Sequence, residues 1–151
     1  MEEVTQSAKS GAPPGPHGYV TLLGLKTFEL RLLLGAIAAG LAWKTFEHFR
    51  STTGMSAEQV ADMAALSRRT LARRKNEGRL SSDESDRLVR AARIYDRALH
   101  LFDGDRERAT RWITTPNMAL GGETPLSFMA TEIGAREVEQ VIGRAEHGVY
   151  S

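Results

Sequence analysis

The chain contains no cysteine. That excludes disulfide staples, thiol nucleophiles and cysteine-based zinc sites, and it agrees with a reducing cytosol. Net charge is also lacking, with Lys and Arg totalling 20 against 19 for Asp and Glu. Attraction to nucleic acid must therefore come from a local patch. No long apolar run is present. The most apolar stretch, Leu32 to Trp43, is bracketed by Arg31 and Lys44 and falls short of the roughly 20 residues that a bilayer demands. The N-terminus opens with Glu2 and Glu3 and has no early apolar core, unlike a signal peptide. These features predict a cytoplasmic protein without a membrane partner. His17, His48, His100 and His147 are scattered without metal-ligand spacing, and Gly121-Gly122 is not followed by the Lys-Ser or Lys-Thr of a phosphate loop. We therefore expect no enzyme, no metal and no cofactor.

At 151 residues the chain can hold one ordinary domain or two small ones. What is present reads as helix almost throughout, so the expected class is all-α. Met1 to Gly18 is rich in Gly, Pro and Ser and predicts a disordered tail, drawn here as 1–20. Leu30, Leu33, Leu34, Ile37 and Leu41 recur at helical steps and give one apolar face, ended by Gly40. Trp43, Phe46 and Phe49 define a short helix before Gly54. Ser56 with Gln59, and Ser81 with Glu84, have capping-box spacing. Ser67 and Asp105 are further candidate N-caps. Leu88, Ala92, Tyr95, Leu99 and Phe102 line a long helix stopped by Asp103-Gly104. Thr124-Pro125 opens another helix, with Gly134 expected to break it. Val138, Val141, Ile142 and Ala145 mark the last helix, ended by Gly148. Only Leu80 suggests a short extended piece.

The segment from Ser56 to Glu77 resembles a helix-turn-helix. Ala61 supplies the small residue at the crossing, Val60, Ala64, Leu66 and Leu71 can pin the pair, and Ser67 starts the second helix. Ala65 departs from the pattern, because that turn usually holds glycine. A left-handed alanine costs about 1 kcal/mol. Arg68, Arg69, Arg73, Arg74, Lys75 and Arg79 face only Glu77 within the stretch, a surplus of five positive charges. Residues in the first turns of a docked second helix reach base edges in the major groove. Ser67, Arg68, Arg69, Ala72 and Arg73 are the candidates for that role, and Arg74, Lys75 and Arg79 for phosphates. The alternative is a solvated basic face on a surface helix.

Asn117-Met118-Ala119-Leu120-Gly121-Gly122-Glu123-Thr124-Pro125-Leu126, behind Trp112 and Pro116, reads as a rigid loop feeding a capped helix. Trp112 is expected in the core, while Leu126 and Met129 fit core or interface equally. This run and the ending Gly143 to Gly148 resemble the C-terminal toxin-binding domain of the Xre/MbcA/ParS antitoxins, which pair with RES-domain toxins. The likeness extends from about Leu22 to Ser151 and includes Ser67-Arg68-Arg69-Thr70-Leu71 and Glu77-Gly78-Arg79-Leu80-Ser81.

The resemblance implies an N-terminal DNA-binding domain that represses its own operon and a C-terminal domain that neutralises an NAD-consuming toxin by occluding its active site. It implies toxin contacts from Asn117, Gly121, Gly122, Leu126, Arg144, Glu146, His147, Val149, Tyr150 and Ser151. The expected layout is a helix-turn-helix domain over 21–80, a connecting helix over 81–104 and a small helical toxin-binding domain over 105–151. Operator DNA and a RES-domain toxin are the expected partners. A homodimer is expected because paired helix-turn-helix units read two half-sites about one turn apart. Its interface could lie on the Phe28 to Leu41 helix or on the long helix through Tyr95. The alternative function is a stand-alone regulator whose C-terminal domain only dimerises.

Overall fold

The computed structural model describes residues 18–26 and 29–148. Among these, the regular elements are all helical: α1 (Gly18–Leu22), α2 (Leu30–Ala39), α3 (Trp43–Thr53), α4 (Ala57–Met63), α5 (Arg68–Glu77), α6 (Ser82–Leu101), α7 (Arg106–Thr114), a 3₁₀ turn (Met118–Leu120), α8 (Pro125–Phe128) and α9 (Glu132–Glu146). Helix starts are set by local chemistry. Ser56 and Ser81 form complete capping boxes with Gln59 and Glu84. The side chains of Ser67, Asp105 and Thr124 accept from the backbone N–H three residues on. Each such cap contributes about 1 kcal/mol.

The 20-residue α6 is the axis of the molecule, spanning about 30 Å. Helices α1, α2, α4, α7 and α9 all pack against it. Its inward stripe of Leu88, Ala92, Ile94, Tyr95 and Ala98 has no solvent exposure at any of these positions. One apolar cluster runs from Leu22 and Leu23 through Phe46, Phe49, Val60 and Leu88 to Met129 and Ile142. The helices before and after α6 thus share a single core. Helix α4 packs on α8, and α3 on α7. A polar clasp reinforces the second contact: the Thr110 hydroxyl donates to the Thr53 carbonyl at 2.9 Å and lies 2.7 Å from the Tyr95 hydroxyl.

Several expectations need correction. Gly18 to Val20 belong to α1, with Val20 fully buried; the rest of the expected tail, Met1 to His17, lies outside the described residues. Of the apolar face expected on α2, only Leu33 within the helix is buried, while Leu30 and Leu34 point outward. Gly134 does not break a helix. It sits in the first turn of α9, where its N–H is capped by Thr131. The break falls at Met129 to Thr131, because α8 is a single turn. A Cβ at Gly134 would lie 2.0 Å from the Phe128 carbonyl oxygen, so the close return of the chain needs glycine here. Leu80 forms no strand; Arg79 makes an isolated bridge with Ala42. Met129 is core, Trp112 is partly buried against the core, and Leu126 remains half-buried.

Asp96 is the buried residue with least support. It is 8% exposed, and its Oδ1 makes no hydrogen bond to a described residue. Burial pushes its carboxyl up to about 6, against a smaller opposing effect of His100.

Candidate functional site

The helix-turn-helix is built by α4 and α5. Ala61 is buried where α5 crosses, and Val60, Ala64 and Leu66 fill the space beneath the turn. Ala65 is left-handed, with φ 57°. The carbonyls this turn presents are held from α6, where Arg87 Nε donates to the Ala64 carbonyl at 2.7 Å. The turn therefore keeps the usual geometry without the usual glycine.

Helix α5 has no buried residue. Ser67, Arg68, Arg69, Ala72, Arg73 and Lys75 are all exposed. Ser67 is also the N-cap, so its oxygen already accepts from Thr70 N–H. None of Arg68, Arg69, Arg73 or Lys75 forms an ion pair with a described residue. Such a row of uncompensated cations on the outer face of a second helix suits phosphate and base-edge contact.

Arg74 differs from its neighbours. Its Nε donates to Glu84 Oε1 at 2.7 Å and its Nη1 to Glu77 Oε1 at 2.8 Å, and these bonds raise its pKa. Burial pushes the Glu84 carboxyl up, but Arg74 and Ser81 bring it below the usual carboxylate range. The Arg74 guanidinium thus braces α5 against the start of α6 rather than facing a phosphate. Arg79 is exposed, and its Nη1 donates to the Gly40 carbonyl.

The C-terminal candidates are spread over the 3₁₀ turn, the start of α8 and the end of α9. The Asn117 side chain accepts from Ala119 N–H at 2.9 Å, and its backbone bridges Glu123 across the turn. Gly121 and Gly122 are exposed with φ 67° and 89°. That closed turn carries Met118 outward at 90% exposure, and Ile133, on the first turn of α9, is 79% exposed. Neither stood out in sequence: Met118 lies within the run read as a rigid loop and Ile133 beside the expected break at Gly134, and exposure has no local signature. Arg144 and His147 are exposed. Glu146 accepts from Arg97 at 3.0 Å. Val149, Tyr150 and Ser151 lie outside the described residues. Among the described residues no helix is long and apolar enough to cross a membrane.

Comparison with known proteins divides the chain along the same lines. Residues 32–93 match the antitoxin Xre-like helix-turn-helix domain, and residues 97–148 match the antitoxin Xre/MbcA/ParS C-terminal toxin-binding domain. A Yersinia enterocolitica protein named Antitoxin Xre is 34% identical over 130 residues, covering 85% of this chain and 88% of that protein. A Photorhabdus laumondii protein of the same name is 41% identical over 93 residues, which is 61% of this chain and 63% of its own length. A Pseudomonas putida namesake is 36% identical over 69 residues, 46% of this chain and 43% of that protein.

Proposed function

We propose, from the premise that the chain belongs to the Xre antitoxin family, that it neutralises a RES-domain, NAD-consuming toxin by occluding its active site and represses its own operon as a homodimer. It works in the cytoplasm as a binding protein without catalysis of its own. The observation that carries the toxin half is Met118, held 90% exposed at the tip of a closed turn inside the segment matching a toxin-binding domain. Because the turn is already closed, covering this apolar side chain orders its rotamers but no loop, which lowers the entropic cost of docking. Ile133 is a second anchor, and Asn117, Gly121, Gly122, Leu126, Arg144, Glu146 and His147 supply the surrounding rim. Val149, Tyr150 and Ser151 reach into the toxin's cleft.

The DNA half rests on α5. Ser67, Arg68, Arg69, Ala72 and Arg73 read bases, and Lys75 and Arg79 meet phosphates. Arg74 acts as the brace that fixes the helix.

Co-purification with a RES-domain toxin and gel-shift titration on the operator test both halves. Arg69→Ala with Arg73→Ala is expected to remove operator binding and leave the toxin complex intact, since each bidentate arginine–base pair contributes about 1–3 kcal/mol. Met118→Asp with Ile133→Asp is expected to weaken toxin capture at least about 30-fold while operator binding stays unchanged. Deletion of Val149 to Ser151 should weaken neutralisation and leave DNA binding unaffected. Failure of the wild-type chain to capture any RES-domain toxin ends the toxin reading; wild-type operator affinity in the arginine double variant moves the reading element off α5.

A further inference from the structure

Between the end of α3 and the flank of α7 runs an open groove of about 570 Å³. Ser51 and Thr52 stand on one wall and Arg106, Glu107 and Arg111 on the other. Among the described residues, no aliphatic or aromatic side chain lines it. Its floor is fixed, because the Thr110 hydroxyl donates to the Thr53 carbonyl at 2.9 Å. Arg106 and Arg111 are exposed, and neither guanidinium forms an ion pair with a described residue. Glu107 lies one turn before Arg111 without pairing to it, so the groove keeps a surplus of one positive charge. The Ser51 and Thr52 hydroxyls likewise make no hydrogen bond to a described residue.

We propose that this groove is a second contact for the DNA backbone, in which Arg106 and Arg111 hold phosphate oxygens and the Ser51 and Thr52 hydroxyls donate beside them. The inference rests on the DNA-binding reading of α5 given above. It adds a helix that lies outside the matched helix-turn-helix, residues 32–93. The lining chemistry selects the partner. A protein interface centres on aromatic or aliphatic anchors, and this groove has none. Nucleic-acid interfaces are more polar and more cationic. Guanidinium forks match phosphate oxygens two at a time, and serine and threonine hydroxyls are common phosphate donors. Arg106 and Arg111 also have no carboxylate partner to give up on binding.

Position supports the same partner. Gly54 borders the groove, and the chain then enters α4 at Ala57, a span of at most about 11 Å. Ala57 in turn borders a smaller groove, of about 300 Å³, together with Arg68, Ala72 and Lys75 of α5. The start of α4 therefore lies between the reading helix and the arginines of α7. A phosphate backbone leaving α5 across it meets Arg106 and Arg111. Phosphate contacts position a protein without reading sequence, so the groove strengthens binding to any duplex and leaves sequence preference to α5.

Fluorescence-anisotropy titration of the full chain across a salt series tests this. The probes are a duplex of about 40 base pairs from upstream of its own gene and a shuffled duplex of equal length. Arg106→Gln with Arg111→Gln is expected to bind both duplexes at least about 5-fold more weakly and to lower the slope of log affinity against log salt by about 1 per arginine. Its melting temperature and toxin capture should stay as wild type. Glu107→Gln is expected to tighten binding to both duplexes by about 2-fold or more, a gain that misfolding cannot produce. Arg108→Gln removes the same charge from the side of α7 turned to the Phe102 ring and should change neither affinity by more than about 2-fold. The proposal is overturned if the double variant keeps the wild-type slope, or if Arg108→Gln weakens binding as much as Arg106→Gln. It is also overturned if toxin capture falls while DNA affinity holds, which gives the groove to the toxin. Arg69→Ala with Arg73→Ala separates the two readings. Weakening by the groove variant with none by the α5 variant sinks the reading of α5 alone; the converse sinks this groove alone. A wild type that binds neither duplex removes both.

Discussion

Asp96 keeps its proton to about pH 6 because burial penalises the charged form, while the same group in the unfolded chain titrates near 4. The folded protein thus binds a proton that the unfolded chain has released, so stability falls as pH rises through that window and is level above it. The cost at neutral pH is about 1–3 kcal/mol. Asp96→Asn is expected to abolish this slope in urea titrations between about pH 4 and pH 7, with higher stability than wild type at neutral pH and no gain near pH 4. An unaltered slope would show that the carboxylate is solvated. Glu84 has the opposite sign: its folded value is depressed, so its contribution is present at neutral pH and is lost as pH falls. Ala65 belongs to the same scale. Its cost was legible in sequence because a helix-turn-helix fixes the backbone at that position. The Arg87 side chain that holds the turn's carbonyls was not legible, since it lies on a different helix.

Helix boundaries were legible wherever the signal was local. Ser56–Gln59 and Ser81–Glu84 carry their whole geometry in a spacing of three, and both boxes form. Signals that depend on a neighbouring element were misread. Gly134 looks like a breaker in one dimension, but its place is set by the Phe128 carbonyl. Gly134→Ala is therefore expected to destabilise by about 3 kcal/mol. Gly143→Ala is the contrasting case: the added methyl meets Arg97 Nη2 at an ordinary 3.6 Å, and the better helix former should gain up to about 1 kcal/mol. Urea midpoints for the two variants should move in opposite directions. Arg74 follows the same logic, because its partner Glu84 is ten residues away on the next helix. On α6, Arg87, Arg90, Arg93 and Arg97 each reach outward: to the Ala64 carbonyl, the Met129 carbonyl, Glu139 and Glu146. Periodicity shows a charged face there but not its partners.

At the scale of the whole molecule, sequence suggested two functional regions, and the family matches divide the chain likewise. The packing joins them, since the apolar cluster passes from Phe46 and Val60 through α6 to Val138 and Ile142. Trp43, stacked on Phe46 at 4.5 Å, reports on the first region, and Trp112 on the second. Single-tryptophan variants, Trp43→Phe and Trp112→Phe, are expected to give superimposable thermal transitions. Separated midpoints would mean that the halves melt independently. The exposure of Leu30 and Leu34 is a lesson at this scale, because periodicity defines an apolar face without saying what lies opposite it.

The seating of α4 on α8 and of α3 on α7, the latter with the Thr110 hydroxyl locked to Thr53, constrains how this architecture can be shuffled among relatives. A recombination that exchanges reading heads at the midpoint of the chain would tear this seam. Hybrids that inherit both sides of it from one parent should be the ones that stay intact.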